Sequence, residues 1–242
     1  MKKYILKISM AACLVLFFSC EDAIDIDQVG RVTADVAFET VGDLQDGLIG
    51  VYTKFDMKRE VAMAAYYTDE TSEGTDSGGQ GRTTGHIFNL NATSAAASTF
   101  WYNGYSRLNA VNRIIEAAEL IEDSTEKNNI LGQAYALRAF AHFQMLCYYS
   151  TDYTNDSALA VILQEAVPSI ADKLLRNTNG EVYASISSDL ATAEGLLTNQ
   201  SDATFVSKDF TLALRARMAA YRQDYAAAQP LAQALLNKYP IA

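Results

Sequence analysis

Proline and cysteine are both scarce in this chain of 242 residues. Three prolines are few, and long helices contain few because proline removes a backbone hydrogen bond. Of the three cysteines, Cys13 and Cys20 lie within or directly after an N-terminal apolar run, so only Cys147 lies in the body of the chain. One thiol forms neither an internal disulfide nor a cysteine-rich metal site. We therefore predict a helical chain in which Cys147 is a buried structural thiol rather than a nucleophile.

Catalytic motifs are missing as well. The sequence contains no HExxH, no GxSxG, no phosphate-binding glycine loop and no Cys/His cluster. Its two histidines, His86 and His142, lie in unrelated places, and no pair among the many carboxylates stands out as a glycosidase acid and base. We expect a protein that is not an enzyme and has no cofactor or metal. His142 lies among apolar residues in the sequence, so it is expected to be a hydrogen-bonded core residue.

Basic residues are outnumbered, with 19 Lys and Arg against 29 Asp and Glu, which gives a net charge of −10. Removal of residues 1–19, which hold three lysines and no acid, would bring the charge to −13. Such a charge argues against a partner bound through nucleic-acid phosphate or anionic lipid. Half of the residues are apolar, and the length is ample for a buried core, so a globular protein is expected.

The N-terminus has the pattern of an export signal. Lysines precede an apolar run over residues 5–18 that is too short to span a bilayer, and Ser19-Cys20 follows. We predict a lipoprotein signal peptide over 1–19 with lipid attached to Cys20. An ordinary secretory signal cut at another residue is the alternative. Residues 20–39 are acidic and aperiodic, and we interpret them as a tether to a helical domain over 40–242.

Apolar periodicity is most pronounced in residues 123–149, which we predict to be a central helix capped by Asp123 and Glu126. Two apolar rows follow its length: Ile130, Ala134, Leu137, Ala141, Met145 and Tyr148, and Tyr135, Ala139, Phe143 and Cys147. A helix that is apolar on two sides is covered by neighbours on both. We therefore expect a stack of helices around it.

Further cap signals predict the other helices. Thr40, with Asp43 three residues on, fits an N-cap, Thr178 with Glu181 fits a capping box, and Ser207 fits a third N-cap. Another helix is expected to start near residues 98–99, with Trp101 as a core anchor rather than a ligand platform. Residues 158–168 are expected to be extended.

Small residues in the last 31 positions follow the spacing of a tetratricopeptide repeat, a pair of antiparallel helices. Pro230 falls within the second helix of this pair, where a proline removes a hydrogen bond and kinks the helix. Earlier helices show similar small-residue seams without the full pattern. The predicted fold class is all-α: a tetratricopeptide-like helical-repeat array with long irregular loops.

The longest of these loops covers residues 66–98 and is rich in Gly, Ser, Thr and acidic residues. Sugars are bound by flat apolar faces together with a few placed polar groups, and long loops on a rigid scaffold often carry binding residues. A solvated surface loop would have the same composition, and this alternative stays open. The candidate ligand-binding residues are Tyr66, Tyr67, Asp69, Arg82, His86 and Asn89.

Several segments, taken in order, form a combined pattern: the Ser-Cys signal, GLIGVYTKF, WYNGYSRLNAVNRII, GQAYALRAFAHFQMLCYY, LLRNTNGEVYASISSDLATAEGLL and SKDFTLALRARMAAYRQDYAAAQPLAQALL. Together these segments resemble the SusD/RagB family of outer-membrane nutrient-binding lipoproteins. The order and spacing of the segments together are specific to this family, whereas no single segment is specific by itself. None of the six candidate ligand residues matches a family motif, so those positions rest on chemistry alone.

The resemblance implies a SusD-like helical fold and a lipid-anchored, surface-exposed protein of the cell outer membrane. Such a protein captures a nutrient, typically an oligosaccharide, and delivers it to a SusC-like TonB-dependent transporter. Family members are about twice as long, so this chain would be a fragment or a reduced member without the usual C-terminal half. The competing hypothesis is a helical-repeat scaffold lipoprotein that binds only proteins in the cell envelope.

Overall fold

A computed structural model describes residues 37–68, 71–72, 74, 91, 94–198, 202 and 204–240. This part of the chain contains no β-strand and seven α-helices: α1 Val41–Lys54, α2 Lys58–Tyr66, α3 Ala95–Ala118, α4 Thr125–Tyr149, α5 Asn179–Leu196, α6 Lys208–Tyr221 and α7 Tyr225–Lys238. The all-α prediction is confirmed. None of the described helices has a stretch both long and apolar enough to cross a bilayer.

Helix α4 is the centre of the stack, as predicted, and packs most extensively against α5 and α3. Its N-cap is Ser124, whose hydroxyl accepts from the Lys127 N–H at 3.1 Å, so the prediction of Asp123 as the cap was wrong. The Asp123 carboxylate instead accepts from Lys127 Nζ at 2.8 Å. Either residue suits an N-cap, and the chain uses the one directly before the first helical residue.

Two apolar clusters divide the core along α4. The first joins α1, the C-terminal half of α3 and the N-terminal half of α4, and includes Leu44, Leu48, Ile114, Ile130 and Leu137. The second joins the C-terminal half of α4 to α5 and α6, and includes Phe143, Met145, Tyr183, Ile186 and Leu214. Because both halves of α4 are enclosed, each of its predicted apolar rows is largely buried.

Close approach between α4 and α5 depends on Gly132. A Cβ built there would lie 3.0 Å from the backbone nitrogen of Leu197 and 3.2 Å from the Ala193 carbonyl oxygen. Those atoms belong to the end of α5 and cannot move independently of it. Because Gly132 has no side chain, the backbone of α4 can pack directly against the end of α5.

The predicted caps of α1, α5 and α6 are confirmed. Thr40 with Asp43, and Thr178 with Glu181, form capping boxes, and Ser207 accepts from the Phe210 N–H. Residues 158–168, which were expected to be extended, form no strand and contain one end of an isolated antiparallel bridge between Leu159 and Thr178. There the Ala160 N–H donates to the Asn177 carbonyl oxygen at 2.8 Å.

The last two helices form the predicted hairpin. Their turn contains Gln223 at a φ of 60°, a left-handed conformation that few residues other than glycine adopt. Helix α7 continues through Pro230 to Lys238, and none of its residues is buried. This pair therefore contributes to the core through α6.

Candidate functional site

The predicted ligand loop is shorter at both ends than residues 66–98. Helix α2 takes up Tyr66, and α3 begins at Ala95, with Ser94 as its N-cap. The sequence reasoning missed α2 because its residues follow no buried apolar stripe. It placed the start of α3 too late because an alanine run favours helix without showing periodicity.

The structure places two of the six candidate ligand residues. Tyr66 is the last residue of α2, and Tyr67 follows it, half-buried, with its pKa raised by burial. The predictions at Asp69, Arg82, His86 and Asn89 lie outside the described residues, as does the lipid site at Cys20. For these five residues the predictions stay predictions.

A cleft of about 590 Å³ opens beside α2, directly before this loop. Ligand sites for small molecules typically enclose roughly 300–1,000 Å³, so the cleft is large enough for a short oligosaccharide. Its lining comprises Asp56, Met57, Lys58, Val61, Ala62, Ala65, Thr71 and Ser72. The four members that lie on α2 recur at three- and four-residue spacing, which places them on one face of the helix.

The cleft combines apolar and polar groups. Val61 is 65% exposed and Met57 is 39% exposed, so an apolar surface faces solvent there. At the start of α2, Asp56 Oδ1 accepts from the Lys58 N–H at 3.0 Å. The Thr71 hydroxyl donates to the Ala65 carbonyl oxygen at 2.6 Å, which ties the following chain to the end of α2. The Asp56 carboxylate and the Lys58 ammonium group are therefore the charged groups at hand for ligand hydroxyls.

A group of aromatic side chains joins the start of α3 to the end of α4. The Trp101 ring lies 4.9 Å from the rings of both Tyr105 and Tyr149, measured between centroids. The Tyr105 hydroxyl also accepts from the Ile162 N–H at 2.9 Å. Burial raises the pKa of Tyr149 to about 12. Trp101 packs against the second core cluster, so its prediction as a core anchor is confirmed.

A second polar group lies deep between α4 and α5. The Arg138 guanidinium donates to both carboxylate oxygens of Asp189, at 2.8 and 2.6 Å. A further Arg138 nitrogen donates to the Glu165 carbonyl oxygen at 2.8 Å. Because these charges are buried and paired, they fix the connection between α4 and α5 against the core and are not available to a ligand.

His142 belongs to the same region and is fully buried. Its Nε2 accepts from the Gln164 N–H at 3.2 Å, so the prediction of a hydrogen-bonded core histidine is confirmed. Burial, with the Arg138 charge nearby, lowers the pKa of His142 to about 3.

Cys147 is half-buried at the end of α4, and burial raises the pKa of its thiol to about 12. The described residues hold no group of three or more His, Cys, Asp or Glu side chains suited to a metal ion.

Antiparallel helices with small residues at their contacts define a helical-repeat protein of the tetratricopeptide-like type. The chain belongs to the SusD-like family, since residues 24–221 match the family model described as starch-binding associating with outer membrane. The predicted resemblance is confirmed. A curated relative, SusD-like protein P2 of Formosa agariphila, is 27% identical over 244 aligned residues, covering 98% of this chain and 46% of that protein.

Solved structures show the same fold. A SusD superfamily protein from Bacteroides vulgatus superposes with a TM-score of 0.71 at 24% identity, over 83% of this chain and 47% of that chain. A laminarin binding SusD-like protein superposes with a TM-score of 0.67 at 20% identity, over 81% of this chain and 43% of that one. The chain thus spans about half the length of the relatives it matches.

The sequence reasoning missed the residues of the cleft that precede the loop. Asp56, Met57 and Val61 were assigned no role because α2 was not predicted. One signal was available: the acidic residue Asp56 shortly precedes a continuous apolar run over residues 61–66. The face of α2 that lines the cleft is open to solvent, so no buried apolar stripe marked it in the sequence.

Proposed function

We propose that this protein captures a neutral glycan in the cleft beside α2. Membership of the SusD-like family supports glycan binding as the class of function. The observation that carries the site is a 590 Å³ cleft with an exposed apolar lining next to the loop of candidate residues. A laminarin-binding protein with the same fold makes a neutral β-glucan a suitable first ligand to test.

The chemistry of the lining suits a sugar ring. The C–H face of a pyranose would pack on Met57 and Val61, while Asp56 and Lys58 would exchange hydrogen bonds with its hydroxyls. Tyr66 at the end of α2, or Tyr67 directly after it, would add an aromatic face. The loop that follows would add hydrogen bonds from Asp69, Arg82, His86 and Asn89. A net charge of −10 disfavours polyanionic glycans.

The proposal includes the place and partner of the protein. Lipid on Cys20 would hold the chain at the cell outer membrane, exposed at the surface, and several acyl chains would make that attachment firm. There it would deliver its ligand to a SusC-like TonB-dependent transporter, without catalysis. Mass spectrometry of the mature N-terminus tests the anchor: an unmodified terminus at another residue would exclude it.

A scaffold function is the competing proposal, and one observation favours it. Ile170 and Leu175, on the connection between α4 and α5, are 106% and 83% exposed. They lie five residues apart in the sequence, and contiguous exposed apolar surface is typical of protein-binding sites. A protein partner that stays bound regardless of added glycan would support this function.

Affinity electrophoresis in gels with and without laminarin tests glycan capture. The parent protein is expected to be retarded by laminarin, and Val61→Asp to lose most of that retardation because a charge is placed on the apolar lining. Tyr66, Tyr67 and Arg82 changed together to Ala should weaken it as well. Ile49→Asp, at a 46% exposed position of α1, is the matched control and should be retarded by laminarin as strongly as the parent.

If the Val61 variant is retarded as strongly as the parent, the cleft is not the site. If the parent migrates freely through laminarin and through a panel of other neutral glycans, the proposed function fails.

A further inference from the structure

Helix α2 lines the cleft, yet the burial of its described side chains does not explain what holds it in place. None of its described side chains is buried, and its packing against other helices is sparse. A nine-residue helix is not stable alone in water. Polar contacts on the side away from the cleft therefore become important.

Arg107 of α3 provides the first of these contacts. This side chain is 3% exposed, and its Nε donates to the Lys54 carbonyl oxygen at 2.8 Å. Another guanidinium nitrogen donates to the Asp56 carbonyl oxygen at 3.3 Å. The guanidinium carbon also lies 5.2 Å from the centre of the Phe55 ring. One buried cation thus fixes the link between α1 and α2 at three successive residues with two charge-assisted hydrogen bonds and a cation–π contact.

Gln144 of α4 extends the contact to α2 itself. It is 2% exposed, and its Oε1 accepts from Arg107 Nη1 at 3.0 Å. Its Nε2 donates to the Glu60 carboxylate and lies 3.5 Å from Met57 Sδ. An amide can accept at one end and donate at the other, so Gln144 connects a buried cation to a carboxylate on α2.

The residue of α2 that contacts Gln144 and the residues of α2 that line the cleft lie on different sides of the helix. At about 100° per residue, Glu60 lies on the side of the helix opposite Lys58, Val61, Ala62 and Ala65. The polar contacts hold the back of α2 while its front lines the cleft. Met57, directly before α2, both lines the cleft and contacts the Gln144 amide.

We propose that Arg107, Gln144 and Glu60 form a positioning relay that fixes α2 and so keeps the cleft in its binding geometry. The effect on glycan binding rests on the proposed function of the cleft, whereas the anchoring of α2 does not. The relay differs from a core ion pair because its loss releases one short helix and leaves the stack intact.

Hydrogen–deuterium exchange of the full chain tests the anchoring. In Glu60→Ala the peptide covering residues 56–66 should exchange at least tenfold faster, while α4 peptides keep their parental rates. Glu60→Gln keeps an oxygen that accepts from Gln144 and should restore most of the protection. Glu122→Ala, an exposed glutamate after α3, is the matched control and should match the parent.

Unchanged exchange in 56–66 of Glu60→Ala overturns the relay, as does equal acceleration in α4, which would indicate general destabilisation. Laminarin retardation then tests the positioning role: Glu60→Ala should lose at least threefold in retention, and Glu60→Gln should recover it. Faster exchange with unchanged retention overturns the link to binding. A parent protein that binds no glycan defeats the proposed function, and the exchange rates still decide the anchoring.

Discussion

Helices α4 and α2 differ in almost every respect that bears on stability. Helix α4 has 25 residues, of which 15 are buried, and it contributes to both core clusters. Helix α2 has nine residues, and none of its described side chains is buried. The longer helix is held by apolar burial along two sides, and the shorter one by a buried arginine and an amide. Scaffold and candidate site are thus built by different interactions.

This division has a consequence for mutations. Changes on α4 should affect folding first, because its side chains are enclosed. Changes on the exposed face of α2 should affect ligand binding with little effect on folding. Substitutions that break either expectation would show that the two regions are not separate.

The largest effect is expected at the buried ion pair between α4 and α5. Asp189→Ala leaves the Arg138 guanidinium, whose side chain is 8% exposed, without its carboxylate partner. Removal of one partner of a buried pair costs roughly 3–5 kcal/mol of unfolding free energy. Urea denaturation followed by circular dichroism measures it. Asp156→Ala, which breaks an exposed pair with Arg222, is the control and should cost less than about 1 kcal/mol. Equal losses would contradict the account.

A smaller loss is expected from overpacking α4. Ala139 and Ala141 are buried to 0% and 1% exposure, and a leucine at either position should cost roughly 1–3 kcal/mol. The same measurement applies. Ala232→Leu, on the exposed side of α7, is the matched control and should change stability by less than about 0.5 kcal/mol. If both core variants melt like the parent, α4 is not central.

His142 predicts a dependence on pH. Its pKa is about 3 in the folded protein, below the ordinary value of 6.5, so the unfolded chain binds a proton more readily between these values. Stability should therefore fall as the pH decreases from about 6.5 towards 3, by at most about 1.4 kcal/mol per pH unit. Denaturation midpoints at pH 7 and 5 measure this loss.

The variant His142→Gln supplies the control for that slope, because a glutamine oxygen still accepts from the Gln164 N–H. Asp189, whose pKa is raised by burial, is present in both proteins, so the difference between the two slopes isolates the histidine. Identical slopes in parent and variant would exclude His142 as the source.

The smallest effect on stability is expected on α2. Val61→Ala removes an exposed side chain and should leave the free energy of unfolding within about 0.5 kcal/mol of the parent. Its retention by laminarin should nevertheless decrease, because part of the apolar lining is lost. A variant that is destabilised as strongly as Ala139→Leu would place Val61 in the core instead.

The fold was predictable where burial leaves a periodic trace. Helix α4 was predicted from its two apolar rows, and α5 from its capping box and stripe, because a helix covered by neighbours must be apolar where they touch it. The N-cap of α4 was misplaced by one residue, since Asp123 and Ser124 are both suitable caps. Helix α2 left no such trace. Its anchor depends on Arg107 and Gln144, which are distant in sequence and are brought together only by the packing of α3 against α4.

The same reason limits the prediction of the site. The composition of the loop pointed to the region after Tyr66, and the cleft lies directly before it. The residues that line the cleft were missed because their face of α2 is open to solvent. An exposed helix face with one valine and two alanines resembles an ordinary surface until its neighbours are known.

Hydrogen–deuterium exchange of the parent protein with and without saturating laminarin tests most directly whether the cleft beside α2 is the glycan site. Binding is expected to slow exchange in peptides covering residues 56–72 and to leave exchange in α4 and α7 unchanged. The residues that line the cleft all fall within 56–72, and none lies on α4 or α7. Laminarin binding that slows exchange only outside residues 56–72 would contradict the account, and so would the absence of any binding.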